Sequence, residues 1–307
     1  RGYHRPMTFR QFSGIVELRT KIVSMGTFAL GLLYAAWRHG AVSPLKAAIV
    51  GAAALAVDMG TTGFNSYFDW YRNVDDPRYN REDGKVIVHE DVSPGSALAV
   101  SAACYAVAMS LGLVLAFVSG PAIVALGAAS LLVGFLYSAG PRPISSTPLG
   151  ELFAGGFLGP VFFVVTVFAV SGRLEARDLL AALPQGLVIA AILSVNNACD
   201  LQGDRAAGRR TIAVLLGPKR AAWPIYIELI AAVGAWTALS LAGVLPPSSW
   251  PHGIALGLIL APRMRAMARR GYSHETKGAN MGAISAVFLI ACAGQAMGLM
   301  MSLVTLI

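Results

Sequence analysis

Long apolar stretches recur along the whole chain and are separated by short polar segments. Most are long enough to cross a bilayer, for which about 20 residues are needed. This pattern predicts an all-α integral membrane protein built as a bundle of nine transmembrane helices. The predicted spans cover residues 23–37, 42–64, 95–118, 121–139, 151–170, 178–197, 221–245, 250–262 and 280–306.

The composition supports this interpretation. Of the 307 residues, 56% are hydrophobic and only 13% are charged, whereas a soluble domain carries roughly 25% charge. We expect one domain over residues 1–307, with two related halves of about 1–140 and 141–307. The three cysteines have the spacing of neither a disulfide framework nor a zinc site.

Lysine and arginine are distributed unevenly between the two sides of the predicted bundle. Of the 24 Lys and Arg residues, all but Arg38, Lys46, Arg173 and Arg177 fall in the N-terminal segment or in the loops after spans two, four, six and eight. The positive-inside rule places that face, with the N-terminus, in the cytoplasm and the C-terminus outside. We therefore expect a multi-pass protein of the plasma or inner cell membrane. The net charge of +8 follows from topology, and no nucleic acid is implied.

Two acidic clusters lie on the cytoplasmic face, each preceded by asparagine at the end of an apolar span. The first reads GFNSYFDWYRNVDD and the second reads VNNACDLQGDRAAGRRTIAVLLG. Asn65 and Asp69 share a helix face at i,i+4 spacing, as do Asp200 and Asp204. The clusters are four spans apart, which returns the chain to the same side, and their similar order of residues indicates a short internal sequence similarity.

A third acid of the first cluster depends on where the helix ends. Asp76 would lie nearer the face of Asp69, but Pro77 disfavours a helical conformation for it. The helix is expected to end near this point, and a turned backbone would bring Asp75 back toward Asp69. The sequence does not choose between Asp75 and Asp76.

These clusters predict a magnesium-bound diphosphate. Carboxylates without cysteine or histidine suit Mg²⁺, which usually completes its coordination with water and substrate phosphates. Arginines beside the clusters suit the same anionic ligand: Arg72, Arg205, Arg209 and Arg210. The rest of the substrate would lie in the bundle and should be apolar.

Three other interpretations compete with this one. The acids could be solvated loop charges, part of a structural cation site, or the binding groups of a transporter with a pseudo-repeat. Transporters place such groups near the membrane midplane on broken helices. Here the acids lie at helix ends and in loops, which favours an enzyme.

The two motifs resemble those of the UbiA superfamily of intramembrane aromatic prenyltransferases, and most closely its 1,4-dihydroxy-2-naphthoate (menaquinone) branch. The second motif matches at Asn196, Asn197, Asp200, Asp204, Gly208, Arg210 and Thr211. The stretch LYSAGPRPISSTPLGE, residues 136–151, is similar to the tyrosine-containing loop after the fourth helix of that family. The spaced matches cover most of the chain.

The resemblance implies a central cavity that opens at the cytoplasmic side, where Mg²⁺ and basic residues draw diphosphate away from an allylic prenyl donor. An electron-rich aromatic carbon then attacks the allyl cation, and in the naphthoate branch the acceptor loses its carboxyl group. The donor would be a polyprenyl diphosphate and the product demethylmenaquinone; 4-hydroxybenzoate, homogentisate or a tetrapyrrole are alternative acceptors. No protein partner is implied, and the prenyl chain length stays open.

Site residues follow from the motifs and the resemblance together. Catalytic roles fall to Asn65, Asp69, Asp75, Tyr137, Asn196, Asp200 and Asp204, with Asp69, Asp75, Asp200 and Asp204 as the metal ligands. Substrate binding falls to Arg72, Arg142, Glu151, Asn197, Arg205 and Arg210. Tyr137 could instead be an interfacial anchor, Arg142 a snorkelling charge, and Glu151 an acid that favours a helix N-terminus.

Two positions depart from the family pattern, and one further acid needs a partner. Ser66 stands where the first motif often has Asp, and Cys199 where Arg is frequent.

Asp58 falls inside the second span, so it should face the bundle interior and have a partner. It lies seven residues before Asn65, about 10 Å deeper along the helix. We expect its loss to affect stability or acceptor binding.

Overall fold

A computed structural model describes residues 7–40, 42–74, 86–89 and 92–305. All the regular structure in this part of the chain is helical, which confirms that the fold is all-α. The helices are α1 (Phe9–Val16), α2 (Ile22–His39), α3 (Pro44–Tyr71), α4 (Val86–His89), α5 (Pro94–Ser119), α6 (Ala122–Ser138), α7 (Gly150–Gly156), α8 (Phe162–Ser171), α9 (Ala176–Ala181), α10 (Leu183–Cys199), α11 (Leu201–Ala206), α12 (Ile212–Leu216), α13 (Trp223–Leu241), α14 (Trp250–Arg270) and α15 (His274–Val304).

Each predicted span has a helical counterpart. Within the described residues, five segments are long and apolar enough to cross a membrane: α3, α5, the continuous segment Gly150–Ser171 that contains α7 and α8, α13 and α15. The apolar helices α6 and α10 are shorter, and α2 and α14 account for the two remaining stretches. Apolar length alone therefore located the main helices of the bundle.

Several helix boundaries differ from the prediction, and α15 for example begins at His274 rather than at residue 280. Helix α3 ends at Tyr71, and Asn73 has a φ of +54°, so the chain leaves the helix before the Asp76–Pro77 step. Asp75 and Asp76 lie outside the described residues. Helix α14 continues to Arg270, beyond the apolar stretch that ends at residue 262. Its last turns are charged, and hydropathy does not report a helix of that kind.

Small residues let the helices that surround the site approach closely. On α3, a Cβ added to Gly63 would meet the Ser101 hydroxyl of α5 at 2.2 Å, and one added to Gly60 would meet Tyr105 at 2.4 Å. Because there is no side chain at these two positions, α3 and α5 pack with their backbones close together, as small residues permit in membrane bundles.

Helix α7 and the turn that follows it contact the backbone of α10 directly. Residues 157–161 form a π-helical turn that contains Pro160 and joins α7 to α8. A Cβ on Gly155 would lie 2.5 Å from the carbonyl oxygen of Gly186, and one on Gly159 would lie 2.5 Å from its Cα. Wider helical turns of this kind often occur at functional sites. Here the turn supplies Gly159 to the contact with α10, and α10 is the helix that carries the second motif.

We expect Gly155→Ala to destabilise the protein by about 1–3 kcal/mol, the usual cost of overpacking, because the new methyl group would clash with the backbone of α10. The matched control is the neighbouring Gly156→Ala, where an added Cβ meets nothing within 4 Å. Thermal unfolding of both variants in detergent tests this expectation. Equal melting temperatures of the two variants would show that α7 and α10 can accommodate the added methyl group without loss of stability.

Candidate active site

A cavity of about 700 Å³ brings the two motifs together. Much of its wall is apolar and comes from α5, α6, the π-helical turn and α8, with Leu113, Ile123, Phe157 and Phe162 as examples. Its polar lining near the motifs includes Asn65, Asp69, Tyr137, Asn196, Asn197, Asp200, Asp204, Arg209 and Lys277. The cavity therefore has a charged region and a long apolar region in one continuous space.

The first motif presents an asparagine and an aspartate from the last turns of α3. Asn65 Nδ2 donates a hydrogen bond to Asp69 Oδ2 at 2.9 Å, as their i,i+4 spacing predicts. Ser138, the last residue of α6, donates from Oγ to Asn65 Oδ1 at 2.8 Å. Asn65 is thus held in an orientation that aims its amide at Asp69, and Tyr137 beside Ser138 also lines the cavity.

The second motif folds as a break between two helices. Asp200 ends α10 and precedes α11, and the amide of Asp204 still donates to the carbonyl of Asp200 at 2.9 Å. Gly208 follows with a φ of +73°, a left-handed conformation that glycine adopts at little cost. The resulting turn brings Arg209 back over Asp204, and Arg209 Nη1 lies 2.8 Å from Asp204 Oδ1.

Among the motif acids that the structure describes, Asp204 is the most deeply buried. It is 2% exposed, and burial raises its pKa to about 6, against the opposing effect of the nearby Arg209 charge. The carboxyl is therefore largely ionised at pH 7 and needs its cation. Arg209 is fixed in turn, because its Nη2 donates to the carbonyl of Ser145 at 2.7 Å, which ties the motif to the loop after α6.

One asparagine of the second motif is hydrogen-bonded to a buried glutamate outside the cavity wall. Asn196 and Asn197 both line the cavity, and Asn197 Nδ2 donates to Glu151 Oε1 at 2.9 Å. Glu151, the second residue of α7, is 3% exposed and is not among the residues of the cavity wall. The structure therefore places Glu151 where it orients Asn197, rather than in the cavity.

Four predicted arginines lie away from the cavity wall. Arg72 donates to the carbonyl oxygens of Ser138 and Gly140, each at 2.6 Å, and so fastens the end of α3 to the loop after α6. Three further arginines, Arg142, Arg205 and Arg210, are exposed.

Lys277 is a cavity residue that the sequence did not indicate. It lies in the first turn of α15, and its Nζ is 2.5 Å from Asp200 Oδ2. It is 77 residues from Asp200 along the chain, so no local spacing reveals the contact. Arg209 was named among the arginines that suit an anionic ligand but not among the predicted site residues, although it stands beside Gly208, the glycine that shapes the turn.

A second polar patch lines the same cavity farther along α3. Asp58 accepts hydrogen bonds from Ser24 Oγ at 2.5 Å and from Lys21 Nζ at 2.7 Å. Lys21 also donates to Thr62 Oγ1 at 2.6 Å. Asp58 therefore has the partner that an acid within a span requires, and together with Ser24 and Thr62 it faces the cavity.

The two departures from the family pattern point away from the cavity. Ser66 is 7% exposed and donates to the carbonyl of Ile15 on α1 at 3.3 Å. Cys199 is 4% exposed, lies near Asn280 of α15, and is not part of the cavity wall. Neither position supplies a group to the described site.

The chain matches the model of the UbiA prenyltransferase family over residues 24–301. It belongs to this family. Membership makes the protein a prenyltransferase and favours the enzyme over the transporter and the structural cation site.

Curated relatives of this UbiA prenyltransferase include enzymes with different acceptors. The 1,4-dihydroxy-2-naphthoate octaprenyltransferase of Mycobacterium tuberculosis is 30% identical over 83% of this chain and 84% of that protein. The enzyme of the same name from Bacillus subtilis is 32% identical, over 54% of this chain and only 53% of its own length. Digeranylgeranylglyceryl phosphate synthase of Halobacterium salinarum is 33% identical over 86% of this chain and 90% of that protein.

Solved structures show the same fold. A UbiA homologue from Aeropyrum pernix aligns with a TM-score of 0.69 at 23% identity and covers 90% of this chain and 96% of its own. A UbiA homologue from Archaeoglobus fulgidus, bound to DMAPP and Mg²⁺, aligns with a TM-score of 0.62 at 18% identity over 92% and 96%. This chain therefore has the UbiA membrane fold.

The donor set of the cavity fits Mg²⁺. The acids of both motifs that the structure describes are Asp69, Asp200 and Asp204; they face one space and are joined by amide oxygens rather than thiols. Within the described ranges, no three acidic, histidine or cysteine side chains converge into a ready-made metal site. Carboxylate and amide oxygens are ligands that suit Mg²⁺, which takes its remaining ligands from water and substrate phosphate.

Arg209→Gln should lower prenyl transfer on the order of 100-fold, the usual effect of removing a group that stabilises developing negative charge. The control is Arg269→Gln, because Arg269 is an exposed arginine of α14. Initial rates would be compared after thermal unfolding has shown that both variants fold. Transfer by Arg209→Gln at the rate of the control would exclude Arg209 from the active site.

Proposed function

We propose that this protein catalyses the Mg²⁺-dependent transfer of a prenyl group from a polyprenyl diphosphate to an aromatic acceptor. The preferred acceptor is 1,4-dihydroxy-2-naphthoate, which would give the reduced (quinol) form of demethylmenaquinone. The observation that carries the proposal is the single cavity in which both aspartate motifs, Arg209 and Lys277 meet a long apolar wall. A diphosphate with an apolar tail matches both regions at once.

The polar residues of the cavity would bind the metal ion and the diphosphate. Asp69, Asp200 and Asp204 would hold Mg²⁺, which when bound neutralises the charge that develops on the departing diphosphate. Arg209, fixed by its bond to the Ser145 carbonyl, would bind a diphosphate oxygen. Asn65 and Asn197 are pre-oriented by Ser138 and Glu151, so their amides are positioned before substrate arrives.

The apolar wall has its own role in the reaction. When the allylic C–O bond breaks, diphosphate takes the electron pair and an allyl cation remains. Side chains such as Leu113, Phe157 and Phe162 line the cavity and would limit capture of the cation by water. The aromatic carbon then forms the new C–C bond, and for the naphthoate acceptor the carboxyl group leaves as carbon dioxide.

The choice of acceptor draws on the relatives. The M. tuberculosis and B. subtilis proteins carry the naphthoate name, and the second motif resembles the same branch. The similar H. salinarum protein is a digeranylgeranylglyceryl phosphate synthase, so a glyceryl phosphate acceptor joins 4-hydroxybenzoate, homogentisate and tetrapyrroles as an alternative. Asp58, which pairs with Lys21 and lines the same cavity, favours an acceptor that carries a hydroxyl group able to donate to its carboxylate.

We further propose the arrangement of the protein in the membrane. The nine apolar stretches would form one bundle in a plasma or inner cell membrane, with the N-terminus and the aspartate motifs at the cytoplasmic side. The asymmetric distribution of Lys and Arg supports this orientation.

Incubation of purified protein with a prenyl diphosphate, Mg²⁺ and a panel of acceptors tests the function. We expect prenylated product, detected by mass spectrometry, with 1,4-dihydroxy-2-naphthoate in preference to the other acceptors. EDTA should abolish the product and Mg²⁺ restore it, because the diphosphate charge needs a hard cation. Preference for another acceptor would reassign the substrate, and full turnover in EDTA would contradict the metal-dependent mechanism.

Asp58→Asn should raise the KM for the aromatic acceptor about tenfold, the effect of losing one interaction worth about 1.4 kcal/mol, and leave the KM for the donor unchanged. Asp58 lies about 10 Å from Asn65 along α3, on the wall beyond the diphosphate region. The matched control is Asp178→Asn, since Asp178 is also an acid with a basic partner, His39, but lies outside this cavity. An unchanged acceptor KM would limit Asp58 to a structural role.

A further inference from the structure

Lys277 and Asp200 form a close ion pair inside the active-site cavity. The ammonium nitrogen lies 2.5 Å from Asp200 Oδ2, and both residues line the cavity. His274 is farther from the same carboxylate, with Nδ1 at 3.7 Å from Oδ1. Lys277 is 9% exposed, so its charge depends on partners within the protein rather than on water.

Lys277 sits at a helix end of unfavourable polarity. It lies in the first turn of α15, where the helix dipole favours an anion. Asp200 stands between the carboxyl end of α10 and the amino end of the short helix α11, whose dipoles act on it in opposite directions. The Lys277 ammonium therefore depends on the Asp200 carboxylate, and a ligand that takes Asp200 leaves Lys277 in need of a new partner.

The second ion pair of the site is built differently. Arg209 contacts Asp204 and is also held by the Ser145 carbonyl, so its planar guanidinium is anchored at two points. A lysine places a single point charge on a flexible four-carbon stem. The ammonium group of Lys277 can therefore turn within the cavity without movement of the α15 backbone.

We propose that Lys277 is an exchangeable counter-ion of the donor site. It neutralises Asp200 in the resting protein; when Asp200 turns to the divalent cation, the Lys277 ammonium moves onto a diphosphate oxygen of the donor. This inference rests on the proposed function for its prenyl diphosphate. It assigns Lys277 two opposite effects, since it competes with a cation that binds alone and assists the anion that follows.

The test measures binding rather than turnover and uses purified full-length protein with Mn²⁺ and inorganic pyrophosphate as probes. Mn²⁺ is titrated alone by electron paramagnetic resonance, and pyrophosphate is titrated by calorimetry at saturating Mn²⁺. Lys277→Met should bind Mn²⁺ alone about tenfold more tightly and pyrophosphate about tenfold more weakly, within the usual range for coupled sites. Lys219→Met, at an exposed lysine, should change neither constant.

A double-mutant cycle removes the ambiguity of a general structural effect. In an Asp200→Asn background the tighter Mn²⁺ binding caused by Lys277→Met should disappear, because its cause is the freed carboxylate. Asp200→Asn alone should bind metal-free pyrophosphate more tightly than the unaltered protein, since Lys277 is released. This last measurement decides the matter even where Lys277→Met does not fold.

The proposed exchange would be overturned if Lys277→Met bound both Mn²⁺ and pyrophosphate more weakly, or if neither affinity changed. It would also be overturned if Asp200→Asn bound metal-free pyrophosphate with unaltered affinity. These results are separate from the acceptor assay. A protein that prenylates no aromatic acceptor but shows the opposite shifts would refute the proposed function alone. One that prenylates normally but lacks the shifts would refute the role of Lys277 alone.

Discussion

A carboxylate inside an apolar helical bundle is stable only where a cation or several hydrogen-bond donors compensate its charge. The described part of the chain meets this constraint repeatedly, with the pairs Asp58–Lys21, Asp178–His39, Asp200–Lys277 and Asp204–Arg209. Of these four acids, only Asp204 takes its basic partner from a nearby position. The other three pairs join residues that are 37, 139 and 77 positions apart, so compensation of the acids also connects distant helices.

The position of these pairs explains how one bundle combines stability with a reactive site. Asp178 is fully buried with His39 and with Tyr34, which donates to it at 3.1 Å, and it has no contact with the cavity wall. Asp200 and Asp204 have comparable compensation but face the cavity. A pair of the first kind holds helices together. A pair of the second kind also keeps a carboxylate neutralised at the cavity wall, where it would be available to a diphosphate that binds together with Mg²⁺.

Local patterns predicted the parts of the structure that depend on neighbouring residues. Apolar length located the main helices, and i,i+4 spacing anticipated the bond between Asn65 and Asp69. The choice among the arginines of the second motif failed to single out Arg209, because it depends on the left-handed turn at Gly208. Lys277 could not be found at all, since its approach to Asp200 depends on how α15 packs against α10. The end of α3 at Tyr71 was also missed, because Pro77 marks the last position a helix could reach rather than the position where it stops.

Helix α3 shows how sequence, packing and function are connected. Its polar residues Asp58, Thr62, Asn65 and Asp69 are separated by four, three and four positions, so they form one stripe along a helix with 3.6 residues per turn. Such a stripe cannot face lipid, where unsatisfied polar groups are costly, so it requires an enclosed polar space. The rest of α3 packs against α5 through Gly60 and Gly63. The stripe that makes the cavity necessary also supplies, from one end to the other, the groups that would hold acceptor and diphosphate within it.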